Sequence, residues 1–279
     1  MRQAGAELEP RTLAPPSRRV ASVSGVERLG AYSLVTALDS EGPRDPQPGQ
    51  FYMLAAAERW GGGADERPYL PRAFSYARAR ASAEGVELQF LLEAIGPGTE
   101  RLAGLRGGEG LALVGPLGIG FRAAAGGTGA LLVGGGIGAA PLLCLQDSLS
   151  DAQVLLGFRS AAHAEAAALF AGEPRLATDD GSRGRAGLVT QLLEEALDED
   201  EARTVYACGP PPMLEAVRAI CEGRGTPAQL ALESGMACGF GACFGCVVPT
   251  TAGYLRLCVD GPVLDAGQLA EGWAAGGGH

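Results

Sequence analysis

Ala130-Leu131-Leu132-Val133-Gly134-Gly135-Gly136-Ile137-Gly138-Ala139-Ala140-Pro141-Leu142-Leu143 reads as a buried strand, a glycine-rich turn and the start of a helix. The apolar run before Gly134 suits a strand covered on both faces. A strand that turns through glycines into a helix offers the orphan N–H groups of the helix start to an anion, and a pyrophosphate is the anion such turns commonly take. The stretch is not a G-x-G-x-x-G, and close packing of helix on strand is the plainer account of its glycines. Toward the C-terminus the alternation continues. A helix from about Ile137 to Ser148 is followed by a strand at Gln153 to Phe158, a helix at Ala162 to Ala171 and a short strand at Arg175 to Ala177. A helix at Leu188 to Ala196, a strand at Thr204 to Ala207 and a helix at Pro211 to Glu222 complete it. This rhythm predicts a parallel sheet with crossover helices over residues 125–228.

A second turn, Tyr206-Ala207-Cys208-Gly209-Pro210-Pro211-Pro212-Met213, also follows a strand's C-terminal end, where open α/β sheets hold their ligands. Alone it is a stiff entry into a helix with proline in its first positions. Two such turns favour a shared cleft. Toward the N-terminus, residues 20–124 break into short β-prone runs at Tyr32 to Val35, Gln50 to Leu54, Ala73 to Ala77, Val86 to Leu92 and Gly110 to Val114. Glycines and prolines separate them, which predicts a small antiparallel barrel. Arg72-Ala73-Phe74-Ser75, Leu91-Leu92-Glu93 and Gly96-Pro97-Gly98-Thr99 lie within it. An arginine beside a strand can clamp a phosphate bidentately, although an Arg-x-Phe-Ser is most often a half-exposed edge.

From residue 229 to 279 the chain is too small for a large core of its own. It places Cys238, Cys243, Cys246 and Cys258 at C-x4-C-x2-C-x11-C spacing among glycines. Plant-type 2Fe-2S ferredoxins use C-x4-C-x2-C with a more distant fourth cysteine, whereas structural zinc usually takes two short-spaced pairs. The iron–sulfur reading leads, with structural zinc as the alternative. Cys144 and Cys221 have no partner at ligand spacing and are assigned to packing.

The 279 residues suit about two domains, and with 47% hydrophobic and 19% charged residues the chain is globular despite a net charge of −10. All 22 basic residues are arginine, against 32 acids, which argues against nucleic acid as a partner. With two histidines, His-dependent nucleophilic and metal mechanisms have little to work with, so chemistry here would come from a cofactor and no catalytic residue is assigned. Residues 1–19 lack the apolar core of a signal or anchor and read as a flexible extension. The longest apolar stretch is broken by glycines, and a cytoplasmic address without membrane contact is expected. Seven cysteines, an odd number, argue against a disulfide framework.

A barrel with Arg-x-Phe-Ser followed by Val-Gly-Gly-Gly-Ile-Gly and Cys-Gly-Pro-x-Pro-Met resembles the ferredoxin-NADP reductase superfamily of flavoproteins. With Glu233-Ser234-Gly235-Met236-Ala237-Cys238, the three later cysteines and Cys258-Val259-Asp260-Gly261-Pro262 added, the chain looks like the electron-transfer subunits of class 1B dihydroorotate dehydrogenases, from about Arg19 to Ala266. The resemblance implies a multidomain protein: an antiparallel β-barrel FAD-binding domain (20–124), a Rossmann-like α/β NAD-binding domain (125–228) and a 2Fe-2S domain with tail (229–279). It implies that Arg72, Ala73, Phe74 and Ser75 bind FAD, with Leu91, Leu92, Glu93, Gly98 and Thr99 completing that site. Ala73 stands where the family usually has proline, which leaves both polar anchors in place. Gly134, Gly135, Gly136, Ile137 and Gly138 would receive the NAD pyrophosphate, and Cys208, Gly209, Pro210 and Met213 would flank the nicotinamide. Cys238, Cys243, Cys246 and Cys258 match the cluster ligands. The implied partner is an FMN-containing catalytic subunit that oxidises dihydroorotate in pyrimidine biosynthesis, in a heterotetramer of two of each. NAD would be a diffusible substrate. Two rivals stand beside this: an NAD(P)H reductase subunit serving ferredoxin, a hydrogenase or a sulfur reductase, and a non-catalytic binding module with a structural zinc.

Overall fold

Residues 17–60, 70–123, 129–200 and 203–276 are described in the computed structural model. The glycine-rich tail beyond 276 and residues 1–16 of the expected extension lie outside them. The first half forms one curled antiparallel sheet. It is built from β1 (Arg19–Leu29), β2 (Tyr32–Asp39), β3 (Phe51–Ala56), β4 (Arg72–Ser75), β5 (Arg78–Ser82), β6 (Gly85–Glu93) and β7 (Gly110–Leu117), in the order β4-β3-β7-β1-β2-β6-β5. In β1 the side chains alternate, with Ala21 and Val23 inward, and they meet Tyr52, Leu54, Leu88, Phe90, Leu92 and Leu111 in one core. The inward face of β1 starts at Arg19, whose guanidinium donates to Asp39 Oδ2 (2.8 Å) and to the Gly115 carbonyl (2.7 Å). Both charges are buried, and each is satisfied by the other. Arg19 is therefore sheet and not extension; its partner lies 20 residues away, out of reach of a local pattern.

Between β6 and β7 the residues expected to be a plain turn start a helix, α1 (Pro97–Ala103). Proline in the first turn lacks only an N–H that would be unpaired there, and Thr99 Oγ1 accepts from the N–H groups of Ile95 (3.0 Å) and Gly96 (3.1 Å).

The second half alternates β8 (Gly129–Gly135), α2 (Ala139–Ser148), β9 (Ala152–Phe158), α3 (Ala161–Ala164), β10 (Arg175–Thr178), β11 (Arg185–Ala186), α4 (Val189–Glu199), β12 (Arg203–Cys208), α5 (Pro211–Arg224) and β13 (Ala228–Ala231). The helix expected at 162–171 is one α turn followed by a 3-10 turn at Glu165–Leu169. The Ala162 carbonyl accepts the Ala31 N–H (3.0 Å), so it is drawn out of the helical ladder by the neighbouring sheet. The C-terminal segment adds an antiparallel ribbon, β14 (Val247–Thr250) with β15 (Gly253–Arg256), then α6 (Leu257–Asp260) and β16 (Val263–Asp265).

The second sheet runs β11-β10-β9-β8-β12-β13-β16, parallel throughout except for β16, which pairs antiparallel with β13. Strand order reverses between β8 and β12, whose C-terminal ends lie side by side with Gly134 opposite Cys208. That reversal opens a crevice at the strand ends. The sheet continues past residue 228 into β13, and the cysteine-bearing segment packs on both halves: Cys246, Val248, Leu257 and Cys258 share one core with Phe51, Met53, Leu117 and Leu264.

The glycines that end β8 and follow it divide by role. A Cβ on Gly134 would lie 2.7 Å from Leu156 Cδ2, and one on Gly138 would stand on the Cys208 carbonyl. These two serve close packing of helix on strand. Gly138→Ala forces backbone against backbone and is expected to lower stability by about 3 kcal/mol. An unchanged midpoint of denaturant unfolding would count against this packing role.

Candidate functional site

Two cavities open at the strand ends and share a wall. The first, about 210 Å³, lies between the curled sheet and the start of α2 and is lined by Ala73, Phe74, Ser75, Leu91, Ile137, Ser234 and Met236, among others. The second, about 430 Å³, sits over the C-terminal ends of β8, β9 and β12, against Gly135, Gly136, Ile137, Pro210 and Met213. Ile137 and Glu233 line both. A shared wall suits two ligands that meet face to face.

The structure sorts the expected flavin residues. Ala73, Phe74, Ser75 and Leu91 face the first cavity. Leu92, one residue on in β6, points the other way into the core of the curled sheet, as period-2 alternation requires. Glu93 lies in the second cavity, where its Oε1 is 3.3 Å from His163 Nε2. Arg72 is outside both cavities. It donates to the Leu70 carbonyl (2.6 Å), its guanidinium stands 6.0 Å from the Trp60 ring centroid, and it covers Gly98 at the start of α1. Arg72, Gly98 and Thr99 thus gather at one place, with the half-buried guanidinium laid over the buried Gly98 at the helix start.

Among the expected nicotinamide residues, Gly135, Gly136, Ile137, Pro210 and Met213 line the second cavity. Gly134, Gly138, Cys208 and Gly209 stand behind it, with Gly209 packed on Met213 and Cys208 buried. Burial drives the Cys208 thiol well above its ordinary range, with the Glu233 charge adding to that, so it stays neutral.

The four cysteines form linked pairs. Burial pushes the Cys238 thiol up, but the N–H groups of Phe240, Cys243 and Ala242 and the Cys243 side chain outweigh it and bring Cys238 down to about 6. A ring of N–H donors around one sulfur is what a thiolate bound to iron needs. Cys246 Sγ accepts the Cys258 N–H (3.4 Å), and burial together with Cys246 raises the Cys258 thiol to about 12. Among the described residues no three His, Cys, Asp or Glu side chains close on one point. Two pairs match four thiolates divided between two irons, and the donor set fits that group. Cys144 and Cys221, assigned to packing, are buried, with thiols raised to about 12 mainly by burial. In the metal-free folded chain, iodoacetamide at pH 8 is therefore expected to label Cys238 and exposed Cys243 and to spare Cys144, Cys208 and Cys221. The Cys238 rate should fall only below about pH 6. Peptide mapping by mass spectrometry checks both; a labelled Cys208 would contradict the assigned burial.

No local motif marks Glu233, Tyr32 or His163 as site residues. Glu233 lines both cavities, and desolvation by the protein around it raises its carboxyl above the usual carboxylate range. It follows β13 by two residues, at a strand's C-terminal end, a signal that the four-residue strand is too short to announce. His163 bridges Glu93 and Ser160, with Nδ1 2.9 Å from the Ser160 hydroxyl, and meets the Tyr32 ring edge-on at 5.6 Å. Together they tie β6 and β2 to α3 across the mouth of the second cavity. Among the described residues no helix is long and apolar enough to cross a membrane.

Residues 233–270 match the family described as the iron-sulfur cluster binding domain of dihydroorotate dehydrogenase B. The chain is 41% identical over 236 residues to a protein of Bacillus caldolyticus named the electron transfer subunit of NAD-linked dihydroorotate dehydrogenase B, covering 80% of this chain and 86% of that one. A protein of the same name from Caldanaerobacter subterraneus is 35% identical over 232 residues, covering 81% and 88%. Among solved structures, the fold is similar to that of an NADH-dependent reduced ferredoxin-NADP oxidoreductase described for flavin-based electron bifurcation, with a TM-score of 0.75, 21% identity, and 91% and 90% of the two chains covered. It is also similar to the flavohem-like FAD/NAD binding domain of nitric oxide dioxygenase from Vibrio cholerae, with a TM-score of 0.60, 21% identity, and 75% and 94% covered.

Proposed function

The chain belongs to the family of dihydroorotate dehydrogenase B electron transfer subunits, and from that premise we propose that it carries electrons from an FMN-containing catalytic subunit, through a 2Fe-2S cluster and FAD, to NAD. One observation carries the reading. The six residues Glu233 to Cys238 run past all three sites: Glu233 lines both cavities, Ser234 and Met236 line the first, and Cys238 is the first cluster cysteine. FAD, when bound, exchanges a hydride with nicotinamide and single electrons with an iron–sulfur centre, so it joins a one-electron carrier to a two-electron acceptor.

The chain's own residues supply placement. Phe74, Ser75, Leu91 and Ile137, which line the first cavity, would hold the flavin there. Arg72 and the start of α1 would hold its phosphates. Gly135 and Gly136 let the nicotinamide nucleotide approach the backbone of β8, with Pro210 and Met213 closing the far side. Cys238, Cys243, Cys246 and Cys258 would hold the cluster, in the pairs Cys238 with Cys243 and Cys246 with Cys258. The chain then carries no dihydroorotate site, and the partner is the catalytic subunit, two copies of each, at a cytoplasmic address.

The test is a visible spectrum of the anaerobically purified chain with and without dithionite, beside its iron, sulfide and FAD content and a pull-down for an FMN protein. Flavin bands with a broad absorbance that bleaches are expected, with two irons per chain. A colourless protein with zinc in the four cysteines would end this reading. A loaded chain that captures no FMN protein would leave the carrier role and remove the partner.

A further inference from the structure

We propose that Arg256 is a positioning residue for the cluster, holding the turn that carries Cys243 and biasing the cluster toward its reduced state. The inference rests on the 2Fe-2S reading. Arg256 ends β15, two residues before Cys258, and reaches back to the cysteine loop on both sides of Cys243. Its Nη1 donates to the Gly241 carbonyl at 3.1 Å. Its Cζ stands 5.2 Å from the Phe244 ring centroid, within reach of a cation–π contact.

The turn needs such a clamp. Phe244 has φ of 59°, a left-handed conformation that costs a bulky residue free energy and persists only where its surroundings impose it. Its ring is 62% exposed, so no core holds it. Gly241 has no room for a side chain, since a Cβ there would lie 2.7 Å from Val259 Cγ2 and 3.3 Å from Arg256 Nη1. The loop is thus pressed between Val259 and a guanidinium. Lysine has no planar fork to lie flat on the ring while donating to Gly241.

A 2Fe-2S centre held by four thiolates is anionic, and reduction adds one more negative charge, so a neighbouring cation favours the reduced form. Asp260 moderates that cation: its Oδ2 lies 3.8 Å from Arg256 Nε and accepts the Arg256 backbone N–H at 3.0 Å.

The experiment is an anaerobic redox titration of the full flavin-loaded chain, followed by the cluster's EPR signal, with iron and sulfide measured on the same samples. R256Q is expected to be about tenfold less reduced at a fixed potential, which is about 59 mV for a one-electron centre. R256K, which keeps the charge, should recover most of that shift while losing iron faster on gel filtration. Asp260→Asn should move the midpoint the opposite way. An R256Q chain with full iron and an unshifted midpoint overturns the proposal. Should R256Q fail to retain its cluster, D260N decides, and an unmoved D260N midpoint overturns it. Wild-type chain that binds no iron and sulfide would instead sink the cluster reading itself.

Discussion

Cys243→Ser is expected to abolish the iron–sulfur signal while leaving FAD bound and the fold intact. Changes one shell away from a metal already cost about 10–100-fold in affinity or activity, and the loss of a ligand thiolate exceeds that. The serine hydroxyl is a harder, more weakly acidic donor than a thiolate, and the soft iron–sulfur core favours sulfur. The fold survives because Cys243 is exposed, whereas Cys246 and Cys258 are buried in the core shared with Phe51 and Leu117. The flavin stays because Cys243 is not part of its cavity wall: β4, β6 and α2 form one side, and the segment after β13 contributes Leu232, Glu233, Ser234 and Met236, all before the first cysteine, with Pro262 beyond the last. Iron and sulfide content, flavin content and NADH reduction of the bound flavin check this together. Full iron in the variant would dissociate Cys243 from the cluster; loss of FAD alongside iron would show that the segment after β13 holds the flavin more tightly than its share of the cavity wall suggests.

Arg72→Ala is expected to weaken FAD binding by about 10–100-fold, since a hydrogen bond to a charged group contributes about 1.5–3 kcal/mol and each 1.4 kcal/mol is tenfold. Arg72 sits half-buried in the short strand β4, so its removal leaves no cavity in a core. Unfolding of the flavin-free chain should move little. Titration of the apo-chain with FAD, followed by flavin fluorescence, gives the number. Lysine at the same position should recover only part of the loss, because it offers a point charge in place of the fork that lies above Gly98. Unchanged affinity would move the phosphates to another part of the site.

Both variants concern residues that local sequence exposes. The cysteine spacing and the Arg-x-Phe-Ser strand carry their chemistry in a few adjacent positions, and the glycine turn after β8 announces a strand passing into a helix. The strands and helices of the parallel sheet were legible for the same reason: each is a local pattern with its own period. Other features depend on partners far along the chain. Arg19 needed Asp39, the broken helix at α3 needed Ala31, and His163 needed Glu93, 70 residues away. Leu92 and Leu91 are alike in composition, and only the pleat decides which of them faces the cavity. Gly134 and Gly138 look like phosphate-binding glycines in sequence, and the structure adds a packing reason for each, since Leu156 and Cys208 leave no room for a Cβ. Glu233 was hidden by a strand of four residues whose sheet pairing defines it.

The antiparallel pairing of β16 with β13 sets Ala231 opposite Val263. Residues 232–262, with Cys238, Cys243, Cys246 and Cys258, therefore leave the parallel sheet and rejoin it beside β13. Topologically they are one oversized hairpin loop. Lengthening such a loop adds chain-closure cost only logarithmically, so a cargo of this size is tolerated where a short turn would otherwise suffice. The long loop leaves the strand order untouched, and it is held by more than its two ends, since its buried side chains share a core with Phe51 and Leu117 of the curled sheet.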